Sequence, residues 1–84
     1  MNETEMKLRL EIDKWTRKIE QERAGIALAA EEKKDFLVNI DAYISDSRHF
    51  FEQGDLVRCF EALIWAWAWL EIGQSEGYLK SSAE

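Results

Sequence analysis

The apolar residues in the first quarter of the chain recur at the spacing of one helix face. They are Leu8, Ile12, Trp15 and Ile19, at intervals of four, three and four residues. That period is typical of an amphipathic α-helix with a narrow apolar stripe, which packs along another helix. Either Asn2 or Thr4 can cap the first turn. The pattern therefore predicts a first helix from one of these two residues to about Arg23.

A stretch with few charges, AGIALAA at residues 24–30, separates this helix from the next. We expect it to be a connection with some apolar packing. The second helix is predicted to begin near Glu31 and Glu32, because acidic side chains stabilise the positive end of a helix dipole. At about 100° per residue, its apolar face comprises Phe36, Leu37, Ile40, Tyr43, Ile44, Ser47, Phe50 and Phe51.

Gly54 and Asp55 predict a tight turn between the second and third helices. Glycine adopts the left-handed conformation that ends many helices, and an aspartate directly after it can cap the next helix. Because adjacent residues end one helix and begin another, the two helices should form an antiparallel hairpin. The third helix is predicted to run from Leu56 to Gly73 or Gly77.

The third helix carries tryptophan at every second position of the segment WAWAW, residues 65–69. At about 100° per residue, Trp67 falls on a broad face directed to the core. The other members of that face are Leu56, Val57, Cys59, Phe60, Leu63, Ile64 and Leu70, with Ala66 at its margin. Trp65 and Trp69 fall on the opposite side, where Ile72 extends their row. A β-strand also fits the alternation, but a strand here would leave its backbone groups unpaired inside a helical stretch.

Three arrangements can cover the face that carries Trp65 and Trp69. The first helix packs there, a second copy of the chain packs there, or the rings stay half exposed as a platform for a ligand. Burying the pair removes roughly 300 to 400 Å² of aromatic surface from water. That burial corresponds to a free energy on the order of 8 kcal/mol before ordering costs are subtracted. A monomer in water therefore gains from covering this face.

Composition supports an all-α fold in a single domain spanning residues 1–84. A chain of 84 residues can form one modest core. The absence of proline and the presence of only four glycines leave long stretches free to be helical. We therefore predict a three-helix bundle in which the second and third helices form a tight antiparallel hairpin and the first helix lies across them.

Charge and cysteine content narrow the classes of partner. The formal charge of −6 at pH 7 disfavours direct nucleic-acid binding. The lone Cys59 precludes an internal disulfide and a multi-cysteine zinc site, which suits a reducing compartment. The N-terminus has no apolar signal core, and the longest apolar run, Ala62 to Leu70, falls short of the ~20 residues of a membrane-spanning helix. We expect a cytoplasmic protein with no membrane partner.

No set of residues forms a catalytic signature. His49 has Asp46 and Ser45 three and four residues before it on the same helix. Hydrolase triads instead bring such groups together from separate elements, and zinc sites need several His or Cys ligands. We therefore expect His49 to be solvated or to cap a helix end, and Cys59 to be a buried thiol. The prediction is no catalytic residue, no metal, no cofactor and no enzymatic activity.

A recognisable pattern lies in residues 41–73, where a DA…HFF…GD hairpin precedes an A…A.WLE.G third helix. The positions that carry it are Asp41, Ala42, His49, Phe50, Gly54, Asp55, Ala62, Ala66, Trp69, Leu70, Glu71 and Gly73. In this pattern the chain resembles an uncharacterised archaeal family of small helical proteins, domain-of-unknown-function family 357. The resemblance implies a small helical bundle and brings no known activity, cofactor or catalytic residue.

These observations together favour a non-enzymatic protein-interaction module that self-associates or docks a protein partner. The predicted partner-binding residues are Trp65, Trp69 and Ile72, with Arg58 and Glu61 at the rim, because tryptophan and arginine dominate interface energetics. The alternative is a small-ligand-binding protein or weak enzyme. Its predicted pocket lies between the helices and is lined by Tyr43, Phe50 and Trp67, with His49 at the edge.

Overall fold

Residues 1–83, the part of the chain that the computed structural model describes, form three α-helices and a small two-stranded sheet. The helices are α1 (Glu3–Ala24), α2 (Lys34–Glu52) and α3 (Leu56–Ser75), and a short 3-10 helix at Glu31–Lys33 precedes α2. The predicted three-helix fold is confirmed. No helix in residues 1–83 is both long enough and apolar enough to cross a membrane.

The sheet is the element that the sequence did not predict. Strand β1 (Ile26–Leu28) lies in the stretch expected to be a connection, and it pairs antiparallel with β2 (Leu79–Ser81). Each strand has only three residues, too few to show an alternating pattern. Strand β2 lies near the end of the chain, far from β1 in the sequence. Only the tertiary fold therefore brings the two strands together. Ile26 and Leu79 are buried where this sheet closes one end of the bundle.

Local hydrogen bonds confirm the predicted hairpin between α2 and α3. Gly54 has φ +75°, and its N–H donates to the carbonyl of Phe51 while Asp55 N–H donates to that of Phe50. This pair of bonds satisfies two of the last carbonyls of α2. The Asp55 carboxylate then accepts the N–H of Arg58 at 3.1 Å and caps α3.

The structure resolves two alternatives that the sequence left open, one at the N-terminal end of α1 and one at the C-terminal end of α3. Asn2, not Thr4, caps α1, since its side chain accepts the N–H of Glu5 at 2.7 Å. At the other end, α3 continues past Gly73 and turns at Gly77, which has φ +76°. Gly73 is instead buried inside the helix.

The three helices lie side by side, and α1 runs parallel to α3 and not across the hairpin. Trp15 packs against Trp67, and Glu22 accepts a hydrogen bond from Gln74; both pairs join residues 52 apart in sequence. A constant offset along two helices means that they run in the same direction. The β1–β2 pair, which follows the C-terminal ends of both helices, holds them in that register.

The core is centred on the side of α3 that lies between α1 and α2. Its most deeply buried members are Ile19, Ile40, Cys59, Leu63, Ala66 and Leu70. The prediction of a buried Cys59 is confirmed, but Ala66 lies in the middle of the buried face and not at its margin. Val57 and Ile64, predicted to face the core, are exposed. At about 100° per residue, both point more than a quarter turn away from Ala66, because the core direction is set by two neighbouring helices and not by the apolar residues alone.

Replacing Gly54 by alanine should destabilise the protein by about 1 to 2 kcal/mol, because a Cβ atom is strained at positive φ. Gly25 provides the matched control: its φ is −94°, and an added Cβ would lie no closer than 3.8 Å to any neighbour. Gly25→Ala should therefore be neutral or slightly stabilising. Urea unfolding followed by circular dichroism measures both changes, and equal effects of the two variants would contradict this account of the turn.

Gly73→Ala should also destabilise the fold, for a different reason. A Cβ atom there would lie 2.5 Å from Leu79 Cδ1 and 2.9 Å from Phe36 Cε1, and overpacking of this kind costs roughly 1 to 3 kcal/mol. Better helix propensity offsets about 1 kcal/mol of this cost. The substitution should cost less in a Leu79→Ala background, where part of the clash is absent. Unfolding free energies of the two single variants and the double variant test this, and a cost independent of Leu79 would show that the clash is not the cause.

Candidate protein-interaction surface

The side of α3 that carries Trp65 and Trp69 packs against α2. The Trp65 ring stacks on Tyr43, with centroids 6.3 Å apart and planes 18° apart. Trp69 meets Phe36 edge to face, with centroids 4.6 Å apart. The alternative in which α1 covers this face is therefore wrong, because α2 packs against both rings. Coverage by a second copy of the chain stays a prediction.

Helix α1 instead covers the opposite side of α3. There Trp15 and Trp67 meet edge to face at 5.5 Å, and the ammonium group of Lys18 lies 4.6 Å from the Trp67 ring centroid. The sequence showed that α3 has two apolar sides. It did not show which neighbour takes which side, since a short turn permits α2 to pack on either one.

Trp69 belongs to the packing between α2, α3 and the sheet. Phe36, its partner, also meets Tyr78 edge to face at 5.4 Å. The indole N–H of Trp69 is shielded from solvent and has no hydrogen-bond partner within residues 1–83. This half-buried ring is therefore not available to a partner in the way that Trp65 is.

Four large apolar side chains are exposed along the solvent side of α3. Their exposed fractions are 64% for Val57, 39% for Ile64, 56% for Trp65 and 48% for Ile72. At about 100° per residue, they lie with Glu61 and Ala68 within roughly a third of the helix circumference. We call these six residues the outer face of α3.

The outer face includes Val57 and Ile64, two residues that the helical pattern predicts to face the core. The signal that could have identified them is the composition of α3 itself. Its apolar residues surround the helix, and such a helix is usually buried on all sides. A bundle of three helices covers a helix on two sides only, so one apolar side remains uncovered.

A shallow depression of about 280 Å³, which we call the notch, adjoins the outer face between α2 and α3. Its lining includes Tyr43, Asp46, Phe50, Arg58, Glu61 and Trp65. The structure thus brings together three of the predicted partner-binding residues, Arg58, Glu61 and Trp65. Ile72 lies farther along the outer face, and Trp69 lies outside it, against Phe36 of α2.

The notch combines aromatic walls with charged groups at its edge. The Arg58 guanidinium lies 3.7 Å from the Asp55 carboxylate in a solvent-exposed ion pair, which leaves most of its donors free. Asp46 supplies a carboxylate from α2, and Glu61 supplies one from α3. This arrangement can accept an apolar side chain between the rings and a charged or polar group at the rim.

The pocket predicted as an alternative does not form as expected. Tyr43 and Phe50 line the notch, but Trp67 lies on the other side of α3 against Trp15. The His49 ring is exposed, 6.0 Å from the Phe50 ring. Trp67 was misplaced because the sequence does not reveal which side of α3 faces α2.

The chemistry-bearing residues are dispersed in the fold. Burial raises the pKa of the Cys59 thiol, and the nearby Asp55 carboxylate adds to the shift. The thiol is therefore neutral near pH 7 and behaves as a small apolar group. Within residues 1–83, no group of three His, Cys, Asp or Glu side chains is arranged to hold a metal ion.

The two aromatic contacts between α2 and α3 should differ in their contribution to stability. Phe36→Ala should cost about 3 kcal/mol, because Phe36 contacts two other rings and fills space beside Gly73. Tyr43→Ala should cost about 1 kcal/mol, since it removes one contact to a largely exposed Trp65. Thermal or urea unfolding of the two variants measures the difference. A larger loss for Tyr43→Ala would mean that the notch, and not the Phe36 cluster, holds the hairpin together.

Comparison with known proteins confirms the family resemblance. The model of the family described as "Protein of unknown function (DUF357)" matches residues 12–79. The crystal structure of a protein of that family from Archaeoglobus fulgidus is similar to this fold, with a TM-score of 0.85 and 49% sequence identity over 94% of this chain and 99% of that one. No curated protein matches the chain. Because the family model covers most of its length, this protein belongs to the DUF357 family of proteins of unknown function.

Proposed function

We propose that this protein is a non-enzymatic interaction module that binds another protein chain on the outer face of α3. The observation that carries the proposal is the row of four exposed apolar side chains along one helix, Val57, Ile64, Trp65 and Ile72. Single exposed apolar residues are common on folded proteins, whereas a contiguous group of them marks an interaction site. Its position on the side of α3 that neither α1 nor α2 covers supports the same conclusion.

Trp65 is the anchor of the proposed interface. One side of its ring rests on Tyr43, while more than half of the side chain faces solvent. The stacking limits the rotamers open to the ring before a partner arrives, so little conformational entropy is lost on binding. Tryptophan is also the residue type most enriched among those that dominate interface energies.

The charged residues at the rim of the notch would orient a bound partner and make its binding selective. Arg58 and Glu61 lie on successive turns of α3, on the side of Trp65 nearer the α2–α3 turn. Rim charges change the rate and specificity of association more than its affinity. The proposed partner, either a second copy of this chain or a different protein, would therefore place an apolar group against Trp65 and polar groups beside Arg58 and Glu61.

The double substitution Trp65→Glu, Ile72→Glu should abolish binding while leaving the fold intact, because both side chains are exposed. The matched control is Leu10→Glu, which places a carboxylate at an apolar position that is 70% exposed on α1. Circular dichroism verifies that all three proteins are folded. Sedimentation velocity over a wide range of concentrations then reports self-association.

Concentration-dependent association of the native chain and of Leu10→Glu, but not of the double variant, supports a self-associating module. If all three proteins are monomeric, capture from an extract of the source cells tests for a different partner. A protein retained by the native and control baits and lost with the double variant supports the proposal. Retention of the same proteins by all three baits, or none by any, contradicts it.

A further inference from the structure

A second recess lies on the other side of the molecule, between α1 and α2. It encloses about 340 Å³, within the range typical of small-molecule sites. We call it the groove. Its lining includes Arg9, Ile12, Thr16, Ser47, Phe51 and Cys59, so residues from all three helices contribute and the floor is largely apolar.

The ion pairs between α1 and α2 lie at one end of the groove. Near the C-terminal end of α1, Arg23 bonds to Asp41 through both Nε and a terminal nitrogen, at 2.6 and 3.0 Å. One turn earlier, Glu20 accepts a hydrogen bond from Arg48 at 3.1 Å. The groove begins beyond these ion pairs, beside the N-terminal half of α1.

Arg9 is the polar group in the groove whose bonding is incomplete. Its Nε is shielded from solvent and has no hydrogen-bond partner within residues 1–83. Its guanidinium lies 5.8 Å from the Phe51 ring centroid, in cation–π geometry. A shielded donor without an acceptor is unfavourable, and a guanidinium presents a planar fork that matches a carboxylate.

Two other charged side chains that border the groove are already paired elsewhere. The Asp13 carboxylate lies 3.3 Å from Arg17 on the same helix. Arg48 is held by Glu20. Within residues 1–83, Arg9 is the cation lining the groove that makes no ion pair, so an incoming anion gives it the charged partner that Arg48 already has.

The charge of the groove selects among anions. Asp13 and Glu52 also border it, and their carboxylates repel a ligand more strongly the more negative charge it carries. Phosphates are therefore disfavoured relative to a singly charged carboxylate. The apolar floor formed by Ile12 and Cys59 requires that the rest of the ligand be apolar as well.

We propose that the groove between α1 and α2 binds a small apolar monocarboxylate. Its carboxylate accepts hydrogen bonds from Arg9, including one from the shielded Nε, and its hydrocarbon body lies over Ile12, Phe51 and Cys59. This site is on a different side of the molecule from the outer face of α3. It therefore stands or falls independently of the proposed protein interaction.

Decanoate and decan-1-ol are suitable probes, because they share a hydrocarbon chain and differ in the head group. Calorimetric titration should show that decanoate binds the native protein at least about tenfold more tightly than the alcohol, since a charge-assisted hydrogen bond to Arg9 is lost with the alcohol. In Arg9→Met, decanoate affinity should fall by at least about tenfold and approach that of the alcohol. Lys7→Met removes a positive charge from an exposed position on the same helix and should leave both affinities unchanged.

Nuclear magnetic resonance locates the ligand. Saturating decanoate should shift the methyl resonances of Ile12 and leave the ring resonances of Tyr43 and Trp65 unchanged. Trp65→Glu, Ile72→Glu should bind decanoate as tightly as the native chain does.

Three results would each overturn the proposal. The first is an absence of measurable decanoate binding to the folded native protein. The second is an equal affinity for decanoate in Arg9→Met and Lys7→Met. The third is a set of ligand-induced shifts at Tyr43 and Trp65 in place of Ile12, which would put the carboxylate in the notch beside Arg58.

Discussion

The close packing of α3 between α1 and α2 is the constraint on which the rest of this structure depends. Ala66 and Gly73 lie on the buried side of α3, where their small size allows neighbouring elements to approach. An added methyl group at Gly73 would collide with Leu79 and Phe36. The small residues of α3 therefore determine how closely its neighbours pack against it. The short sheet and the α2–α3 turn hold those neighbours in place.

This packing also explains the surface of the protein. Helix α3 is apolar on more of its circumference than two neighbours can cover, and the uncovered part forms the outer face. The tryptophans of the WAWAW segment are divided by this geometry: Trp67 packs against α1, Trp69 packs against α2, and Trp65 lies at the border between α2 and solvent. One alternating motif thus serves packing at two positions and a candidate interface at the third.

The contact between α1 and α2 has a different character. It is made by ion pairs near one end, where Asp41 holds Arg23 in a two-bond fork, and this hydrogen bonding raises the pKa of the Arg23 guanidinium. Ion pairs at a surface fix geometry more than they add stability. Beyond these ion pairs, the groove with Arg9 at its side lies beside the N-terminal half of α1.

The sequence by itself determined the three helices, the cap at Asp55, the turn at Gly54 and the two apolar sides of α3, because helical period and turn chemistry are local properties. It also placed Arg58, Glu61 and Trp65 near one another, since they lie on adjacent turns of one helix. Only the tertiary structure decided that α2 packs against Trp69, that Val57 and Ile64 are exposed, and that Ile26–Leu28 pairs with Leu79–Ser81. These features depend on which side of α3 each neighbour occupies and on a contact between distant segments, and neither is encoded in the spacing of residues along a single helix.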